Sequence, residues 1–232
     1  MSFIAKDVIR LHGLKIGIDK DAVSMPILRS MLQGWYEAVE LTLMKKVLTP
    51  GDRIVEVGGG IGITAMKAAD IIGAENIFSF ELNPYLIEWS ADNFKRNGFE
   101  IQVFQQALFP RASLPDGLVD FHVHQNFWAS SLAPREGTVE TIKVPAACLE
   151  DKIAEHRANV LIVDIEGAEV HLFNGLDLTG IEKIVMEIHY RAAGRTETNA
   201  MIRSIEDRGF FLDYEMIDSG VLCFTRTADA QT

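Results

Sequence analysis

The sequence predicts an α/β fold with a largely parallel sheet and helices on both of its faces. Three observations predict it. Between residues 53 and 107, short apolar runs alternate with segments of helical periodicity, which is the pattern of consecutive βαβ units. A glycine-rich turn, "GGGIG", joins the first apolar run to the first of these helices. The chain closes with two β-rich runs separated by a short turn, which predicts an antiparallel pair at one edge.

Composition and charge limit the class of protein. The 232 residues suit one domain (1–232), and 48% hydrophobic content with a mean hydropathy of +0.10 is typical of a globular chain. No apolar run reaches the eighteen or so residues that span a bilayer, and the N-terminus carries charges where a secretory signal needs its apolar core. We therefore expect no membrane partner and a cytoplasmic location. The formal net charge of −11 repels phosphate backbones, so no nucleic-acid partner is expected.

Residues 1–48 are predicted to form an N-terminal helical region that covers the ligand site. Residues 1 to about 25 show no clear pattern. From Pro26 to Leu48 apolar residues recur at helical spacing, interrupted by Gly34, so two helical pieces are expected around that glycine.

The βα units follow in order. The predicted strands are "RIVEV", "NIFSFEL" and "IQVFQQA". The helices between them are "ITAMKAADIIGA" and "NPYLIEWSADNFKRNG", which end at Gly73 and Gly98.

Residues 109–147 interrupt this rhythm. Two strand-like segments without a helix between them predict a β-hairpin or loop insertion between the third and fourth strands. The rhythm resumes with "CLEDKIAEHR", "NVLIVDI", "AEVHLFNGL", "IEKIVMEIHY" and a helix from Glu197 to Arg208. "FFLDYEM" and "GVLCFTR" close the fold, and the tail "TADAQT" is expected to fray. An exposed hairpin also offers an edge through which two copies could form a homodimer.

The glycine-rich turn predicts a nucleoside-containing ligand. Gly58, Gly60 and Gly62 lie between a strand and a helix, where glycine permits positive φ and a close approach of the ligand to the backbone. The N-terminus of the helix adds free N–H groups and a positive dipole end. Glu81 ends the next strand, where a carboxylate can accept both hydrogen bonds from a ribose diol.

Two nucleoside ligands fit this turn. Started at Gly60, "GIGITA" matches the G-x-G-x-x-A form of the dinucleotide fingerprint, so an NAD(P)-binding oxidoreductase stays open. Started at Gly58, the fingerprint fails because its third position is Ile63. Glu56 suits the ammonium of a methionine moiety better than it suits a pyrophosphate, so the pattern favours S-adenosylmethionine (SAM). A non-catalytic SAM-binding module is a further alternative.

Several motifs together resemble the FkbM family of class I SAM-dependent methyltransferases. Over roughly Gln33 to Tyr190 they are "GWYEAVE", "GDRIVEVGGGIG", "FELNP", "VPAACLEDKI", "LIVDIEGAEVHLFNGL" and "KIVMEIH". The resemblance implies a Rossmann-like, seven-stranded methyltransferase sheet whose last strand is antiparallel. It also implies transfer of a methyl group to an oxygen of a sugar or natural product. The chain departs from the family at Glu56, where members commonly have Asp, and at Gly60, where Asn is common.

The resemblance also implies further residues around the cofactor. Tyr36 and Glu37 are expected to close over the methionine end of SAM, or else to belong to an ordinary amphipathic helix. Gln106 and Ala107 end the third strand, where adenine lies in this class. Asn83 is expected to support the ribose-binding acid or to cap the following helix.

Three carboxylates follow the fourth predicted strand. "VLIVD" should lie beside the glycine-loop strand, so Asp164 is expected at the carboxyl edge where ligands bind. Asp164 and Glu166 should face the space beside the methyl donor. Glu169 falls in the first turn of the next helix, where an acid complements the dipole, and it is interpreted as structural.

Glu187 and His189 end the neighbouring strand on one face, and they complete the predicted catalytic set with Asp164 and Glu166. His189 is predicted to be the general base, because imidazole titrates near neutrality and a hydroxyl must lose its proton as it attacks the methyl group. The alternative is a histidine that is hydrogen-bonded to one of the acids and shapes the pocket. Methyl transfer mainly requires in-line positioning, so a strong base is not essential.

No metal site is predicted. His122 and His124 of "HVH" lie on one face of a strand, but no third ligand follows at a motif spacing, and a chelator is expected to leave activity unchanged. The nearby "NFWASSL" places Phe127, Trp128 and Ser130 either in the acceptor pocket or on a buried hairpin face. The sequence therefore predicts a SAM-dependent O-methyltransferase that acts on a small hydroxylated acceptor.

Overall fold

The computed structural model describes residues 3, 5–19, 23–126, 129–218 and 220–226 of the chain. Its first elements form a β-hairpin, β1 (Asp7–Leu11) and β2 (Leu14–Ile18). The turn residues His12 and Gly13 have φ values of 51° and 85°, the conformation that a two-residue hairpin turn requires. The prediction of a helical region over 1–48 is therefore wrong for its first part, because the apolar residues of β2 alternate as strand residues do.

Two helices follow the hairpin, as the apolar spacing predicted: α1 (Met25–Gln33) and α2 (Ala38–Val47). Gly34 ends α1 with a φ of 73°, and its N–H donates to the carbonyl of Met31. Glu37, immediately before α2, also has a positive φ, 56°. This turn carries the chain from the surface of the molecule towards the glycine-rich loop.

Ten further strands form the rest of the sheets. They are β3 (Ile54–Val57), β4 (Ile77–Phe80), β5 (Gln102–Phe104), β6 (Ala107–Phe109), β7 (Leu118–His124), β8 (Thr138–Cys148), β9 (Val160–Val163), β10 (Lys183–Glu187), β11 (Phe211–Asp218) and β12 (Val221–Thr225). Seven of them make the central sheet in the order β11-β12-β10-β9-β3-β4-β5. The strand β12 runs antiparallel to both of its neighbours, and the pairs among β3, β4, β5, β9 and β10 are parallel. The predicted fold class is confirmed.

Helices cover both faces of this sheet. Beyond α1 and α2 they are α3 (Ile63–Ile72), α4 (Pro84–Asn97), α5 (Leu149–His156), α6 (Glu169–Phe173), α7 (Tyr190–Ala193) and α8 (Arg195–Glu206). Alternate residues of β3 enter different cores: Ile54 packs with α2, α3 and α4, whereas Val55 packs with α5, α6 and α8. Because both faces are covered, the central strands are largely apolar. Among the described residues, no helix is long and apolar enough to cross a membrane.

The predicted third strand is in fact two strands. β5 stays in the central sheet, whereas β6 leaves it and pairs with β8 in a separate three-stranded sheet of order β6-β8-β7. Gln105 and Gln106 lie between the two strands, and Gln105 Nε2 donates to the carbonyl of Leu82 at 3.0 Å. The insertion is the predicted hairpin, β7 against β8, which we call the hairpin arm (residues 118–148). Phe127 and Trp128 of the arm, and the tail at 227–232, lie outside the described residues.

The N-terminal hairpin is fastened to α4, the helix that follows the second strand of the central sheet. Gly17 in β2 donates its N–H to Asn93 Oδ1 at 2.9 Å, and its carbonyl accepts from Trp89 Nε1 at 2.6 Å. Trp89 itself is fully buried. The hairpin thus closes one side of the molecule next to the first βα turns.

Candidate functional site

The glycine-rich loop lies where β3 gives way to α3. Gly58, Gly60 and Gly62 have φ values of 92°, 52° and 82°. A Cβ on Gly58 would lie 1.8 Å from the backbone carbonyl oxygen of Asp164, and one on Gly59 would lie 2.1 Å from Ser79 Oγ. The loop is therefore packed against the ends of both neighbouring strands, and no side chain caps α3, which leaves its first N–H groups available to a ligand.

Glu81 follows β4 directly and fixes the shape of this loop. Its Oε2 accepts from the N–H of Gly60 at 2.9 Å, and its Oε1 accepts from the N–H groups of Leu82 and Asn83, both at 2.8 Å. The residue is 8% exposed. Burial raises the pKa of the Glu81 carboxyl, and the three backbone donors oppose that rise. The carboxylate thus faces the glycine loop, in the place where the sequence predicted a ribose contact.

Asn83, Gln106 and Ala107 surround Glu81. Asn83 caps α4, since its Oδ1 accepts from the N–H of Tyr85 at 3.1 Å, and its Nδ2 lies 3.4 Å from Ser130 Oγ in the hairpin arm. Ala107 is buried at the start of β6. Gln106 Oε1 is a buried acceptor without a hydrogen-bond partner among the described residues. An amino group such as that of adenine would satisfy it.

A cavity beside the glycine loop is lined by acids. Glu56 is 1% exposed and accepts from Ser79 Oγ at 2.5 Å, and Glu37 accepts from Thr64 Oγ1 at 2.7 Å. Burial raises the pKa of Glu56 to about 8 and that of Glu37 to about 7. The cavity's lining also includes Tyr36, whose pKa burial and the neighbouring Glu37 raise well above its usual value. Since the described lining has no Lys, Arg or His, an ammonium group is the complement that this cavity lacks.

The raised pKa of Glu56 predicts how stability depends on pH. The folded protein keeps a proton on Glu56 up to about pH 8, whereas an unfolded carboxyl releases it near 4.5, so unfolding releases a proton between these values. The free energy of unfolding should therefore fall as the pH rises from 5 to 8, by up to about 1.4 kcal/mol per pH unit for one proton. Urea denaturation of the wild type and of Glu56→Gln at several pH values measures this slope. The variant should show a clearly shallower slope, and equal slopes would contradict the assignment.

The carboxyl ends of β9 and β10 carry a second group of titratable side chains, which we call the acidic edge: Asp164, Glu166, Glu187 and His189. His189 Nε2 lies 3.5 Å from Glu166 Oε2 and 3.8 Å from both Asp164 Oδ1 and Glu187 Oε1. The structure thus brings together all four residues that the sequence selected as catalytic. Burial raises the pKa values of the three carboxyl groups; neighbouring carboxylates add to the rise, and His189 opposes it.

A fifth residue, Glu169, holds His189 in place. Its Oε1 accepts from the N–H of Gly167 at 3.0 Å and lies 2.8 Å from His189 Nδ1. Glu169 is 1% exposed, and its Oε2 is buried without a partner among the described residues. Burial opposes a charge on His189, but the hydrogen bond to Glu169 and the carboxylates around it raise the pKa of His189 to about 9. Sequence reasoning gave Glu169 a structural role in α6 and missed this contact.

Other contacts at the site have a weaker signal in the sequence. Ser79 is the register partner of Glu56 across β3 and β4, so parallel pairing of the two strands could have revealed it. Arg135 in the hairpin arm donates from Nη2 to the backbone carbonyl of Glu166 at 3.1 Å, a contact that no local pattern predicts. His122 and His124 are engaged within the arm: His122 Nδ1 lies 2.9 Å from Thr141 Oγ1, and His124 Nε2 lies 2.8 Å from the carbonyl of Glu136.

Comparison with known families identifies the class to which this site belongs. A family model described as "Methyltransferase FkbM domain" matches residues 73–212, more than half of the chain. The chain belongs to the FkbM methyltransferase family. A second model, "Protein-L-isoaspartate(D-aspartate) O-methyltransferase", matches residues 8–111. The family and the SAM cofactor predicted from the sequence are thus confirmed, and they are those of a SAM-dependent methyltransferase class.

Individual relatives of the FkbM protein are more distant. The chain is 32% identical over 107 residues to a ribosomal protein L11 methyltransferase of Thermus thermophilus, covering 44% of this chain and 40% of the relative. It is 28% identical over 131 residues to one of Pelotomaculum thermopropionicum, covering 55% and 41%. It therefore spans about two fifths of the length of these curated relatives. A protein of Pyrococcus horikoshii assigned as a transferase shares the fold with a TM-score of 0.50 at 13% identity, over 94% of this chain and 68% of that one.

These relatives correct one prediction. The sequence predicted a small hydroxylated acceptor and no nucleic-acid partner. The curated relatives are instead named for a ribosomal protein. The predicted set of partners is therefore wrong as stated.

The residues of the site fit SAM. The glycine loop has no room for side chains at Gly58 and Gly59, Glu81 faces it, and Gln106 Oε1 lacks a donor. The acid-lined cavity provides carboxyl groups that would ionise to pair with a methionine ammonium. The nucleoside end of SAM would thus lie beside Glu81 and Gln106, and its methionine end would lie in the acid-lined cavity.

Proposed function

We propose that this FkbM methyltransferase transfers the methyl group of SAM to an oxygen atom of a protein acceptor. The observation that carries the proposal is the position of the acidic edge. It lies at the ends of β9 and β10, and β9 pairs directly with β3, the strand that enters the glycine loop. Asp164 connects the glycine loop with the acidic edge: its backbone carbonyl packs against Gly58, and its side chain is part of the acidic edge. A donor in the loop and an acceptor at the edge would be immediate neighbours.

The donor side is assigned by chemistry. When bound, SAM supplies a methyl carbon attached to a positively charged sulfur that leaves readily. Glu56 and Glu37 would pair with its ammonium, together with Tyr36 in the same cavity. Glu81 would accept hydrogen bonds from the ribose, and Gln106 would receive the adenine amino group. Asn83 would act indirectly, because it caps the helix that follows Glu81.

The acidic edge is assigned to the acceptor. A hydroxyl must lose its proton as its oxygen attacks the methyl carbon, so the acceptor needs groups that hold it in line and draw the proton away. Asp164, Glu166, Glu187 and His189 are within reach of one another and partly open to solvent. Oxygen as the accepting atom is supported by the FkbM resemblance, and by the second family model, whose description is that of an O-methyltransferase.

Three observations support a protein acceptor: the names of the relatives, the net negative charge of the chain and a group of exposed apolar side chains. The curated relatives are named for ribosomal protein L11, and the second family model is named for a protein substrate. A net charge of −11 attracts basic proteins. Met25, Leu32 and Trp35 are 75%, 65% and 66% exposed in and just after α1, immediately before the cavity residues Tyr36 and Glu37. Exposed apolar side chains grouped in this way are typical of protein contact surfaces.

The cytoplasmic location stays a prediction.

Transfer of a labelled methyl group tests this proposal. The protein is incubated with SAM tritiated in the methyl group, with recombinant ribosomal protein L11 and with a cell extract later separated into protein, RNA and small-molecule fractions. We expect label in protein, and tandem mass spectrometry should place the methyl group on oxygen. Label confined to the RNA or small-molecule fraction would overturn the protein acceptor, and a methyl group on nitrogen would overturn the accepting atom. Asp164→Asn should lose the label, whereas Asp120→Asn, an exposed acid of the hairpin arm, should keep it.

Trp35 tests the acceptor surface separately. Trp35→Ala should raise KM for the labelled protein acceptor about tenfold, because a large aromatic contact is lost, and should leave binding of S-adenosylhomocysteine unchanged. Steady-state kinetics and calorimetry measure the two effects. Tyr214→Ala removes another aromatic side chain, 79% exposed on β11, and serves as the matched control. Equal effects of the two substitutions on KM would argue against a contact at Trp35.

A further inference from the structure

Three side chains of the acidic edge converge in a way that the proposed methyl transfer does not by itself require. Asp164, Glu166 and His189 each place one ligand atom within 4.8 Å of the other two. The separation between His189 Nε2 and Glu166 Oε2, 3.5 Å, is too long for a good hydrogen bond. Two ligand atoms that share one divalent ion at about 2.1–2.2 Å lie roughly 3–3.6 Å apart, so the spacing is close to that of a metal site.

The orientation of His189 is an independent indication. Its Nδ1 is fixed at 2.8 Å from the buried Glu169, which leaves Nε2 directed towards the carboxylates. Histidines that bind metals commonly have this arrangement, with the second ring nitrogen held by a carboxylate. With Nδ1 donating to Glu169, a metal would bind Nε2 in place of the proton on that nitrogen.

An unsatisfied acceptor is the second independent indication. Asp164 Oδ1 is buried and has no hydrogen-bond partner among the described residues, although its side chain as a whole is 44% exposed. Buried polar atoms without a partner are rare and commonly mark an ion or a water position. This oxygen is the Asp164 atom that lies nearest His189 Nε2.

The charge of the carboxylates around these atoms is only partly balanced by His189. Glu169 and Glu187 bring the number of carboxylates around His189 to four. Glu187 Oε1 lies 3.8 Å from His189 Nε2. Among the described residues the nearby arginine, Arg135, donates to the backbone carbonyl of Glu166 and forms no ion pair with the carboxylates. Such a concentration of negative charge is stabilised by a cation.

We propose that Asp164 Oδ1, Glu166 Oε2 and His189 Nε2 bind one divalent cation that prefers oxygen ligands, Mn²⁺ or Mg²⁺. Two carboxylates and one imidazole suit such an ion, and the remaining coordination positions stay open to water and to the acceptor. This inference rests on the proposed function in one respect: the ion would bind the acceptor hydroxyl. The hydroxyl proton would pass to Glu187. The oxygen would then bond to the methyl carbon as the carbon–sulfur bond breaks, and the electron pair would stay on sulfur.

This inference reverses the sequence-based expectation that no metal takes part. The ligands come from the ends of two different strands and are separated by 23 positions between Glu166 and His189, so no short motif contains them. The "HVH" pair has a compact spacing, but its two histidines are engaged within the hairpin arm.

Titration of the purified full chain with Mn²⁺, after removal of metals with EDTA, tests the inference without SAM or acceptor. Loss of the electron paramagnetic resonance signal of free Mn²⁺ should show one bound ion per chain. Asp164→Asn and His189→Ala should each weaken binding at least tenfold, and Glu169→Gln should weaken it roughly tenfold through the orientation of His189. His122→Ala is the matched control and should bind Mn²⁺ as the wild type does. Circular dichroism verifies that each variant is folded.

The outcomes separate this inference from the proposed function. Absence of Mn²⁺ binding, or binding that Asp164→Asn and His189→Ala leave unchanged, would overturn the metal site, and methyl transfer that continues at full rate in EDTA would do the same while leaving the proposed function intact. Site-specific Mn²⁺ binding without labelling of any protein would instead retain the metal site and overturn the function.

Discussion

Gly58→Ala is expected to destabilise the protein by several kcal/mol and to abolish measurable SAM binding. The φ of Gly58 is 92°, and an added Cβ would lie 1.8 Å from the backbone carbonyl oxygen of Asp164. The N–H of Asp164 donates to the carbonyl of Val57 at 2.9 Å, so neither chain can withdraw without breaking the junction of β3 and β9. Backbone strain and a contact with a main-chain atom thus add together. Chemical denaturation and calorimetric titration with S-adenosylhomocysteine measure the two losses.

Gly98→Ala provides the control for this substitution. Gly98 ends α4 with a φ of 77°, and among the described residues no atom beyond its own local backbone lies within 4 Å of the position that its Cβ would take. The substitution therefore tests the cost of the backbone conformation alone, about 1 kcal/mol, without a steric contact. If Gly58→Ala destabilised the protein no more than Gly98→Ala does, the close packing of the glycine loop against Asp164 would be contradicted.

Glu81→Ala is expected to weaken SAM binding by about 10- to 100-fold. The substitution removes the proposed ribose acceptor, and it also leaves the N–H groups of Gly60, Leu82 and Asn83 without their carboxylate. Hydrogen bonds to a charged group contribute about 1.5–3 kcal/mol each, and loss of the loop's shape adds to the loss of the contact. Calorimetry with S-adenosylhomocysteine measures the affinity.

Two further variants sharpen the test at Glu81. Glu81→Gln keeps one acceptor oxygen and should lose less affinity than Glu81→Ala, because part of the loop's hydrogen bonding survives. Glu100→Ala removes an exposed acid that follows α4 and should bind as the wild type does. Unchanged affinity in Glu81→Ala would show that the nucleoside lies elsewhere.

The central sheet could be predicted because its signals are local. β3, β4 and β9 are short, largely apolar runs that both layers of helices bury, and the βα turn after each of them contains glycine, asparagine or proline. The sequence could not predict which sheet a strand joins when this depends on the choice of partner strand. The run "IQVFQQA" has the composition of one strand, but it divides at Gln105 and Gln106 because β6 finds a partner in β8, about 40 residues away in the chain.

The N-terminal hairpin was missed for a related reason. Its turn, His12-Gly13, has a sequence signal that is weaker than that of Asn-Gly, and its strands are short. What stabilises the hairpin is its contact with Trp89 and Asn93 of α4, far along the chain. A strand pair of this length depends on such packing rather than on its own propensity.

At the site, the sequence could identify which residues end neighbouring strands but not how their side chains interact. Parallel strands meet at one edge, so Asp164, Glu187 and His189 were expected together. The bond between Glu169 and His189 depends on the positive φ of Glu166 and on Gly167, which turn the chain back towards β10. That geometry has no periodic signature, and the orientation of His189 follows from it.

The hairpin arm suggests how members of this fold could diversify. Its connecting loop meets the donor side where Ser130 Oγ lies 3.4 Å from Asn83, and it meets the acceptor side where Arg135 donates to the carbonyl of Glu166. Both contacts are polar bonds at the rim, whereas the glycine loop and the buried acids belong to the central sheet. A substituted arm would therefore change what docks over the acidic edge while the donor machinery stays intact. In this architecture the hairpin arm, and with it the substrate preference, could be exchanged in evolution or grafted between homologues.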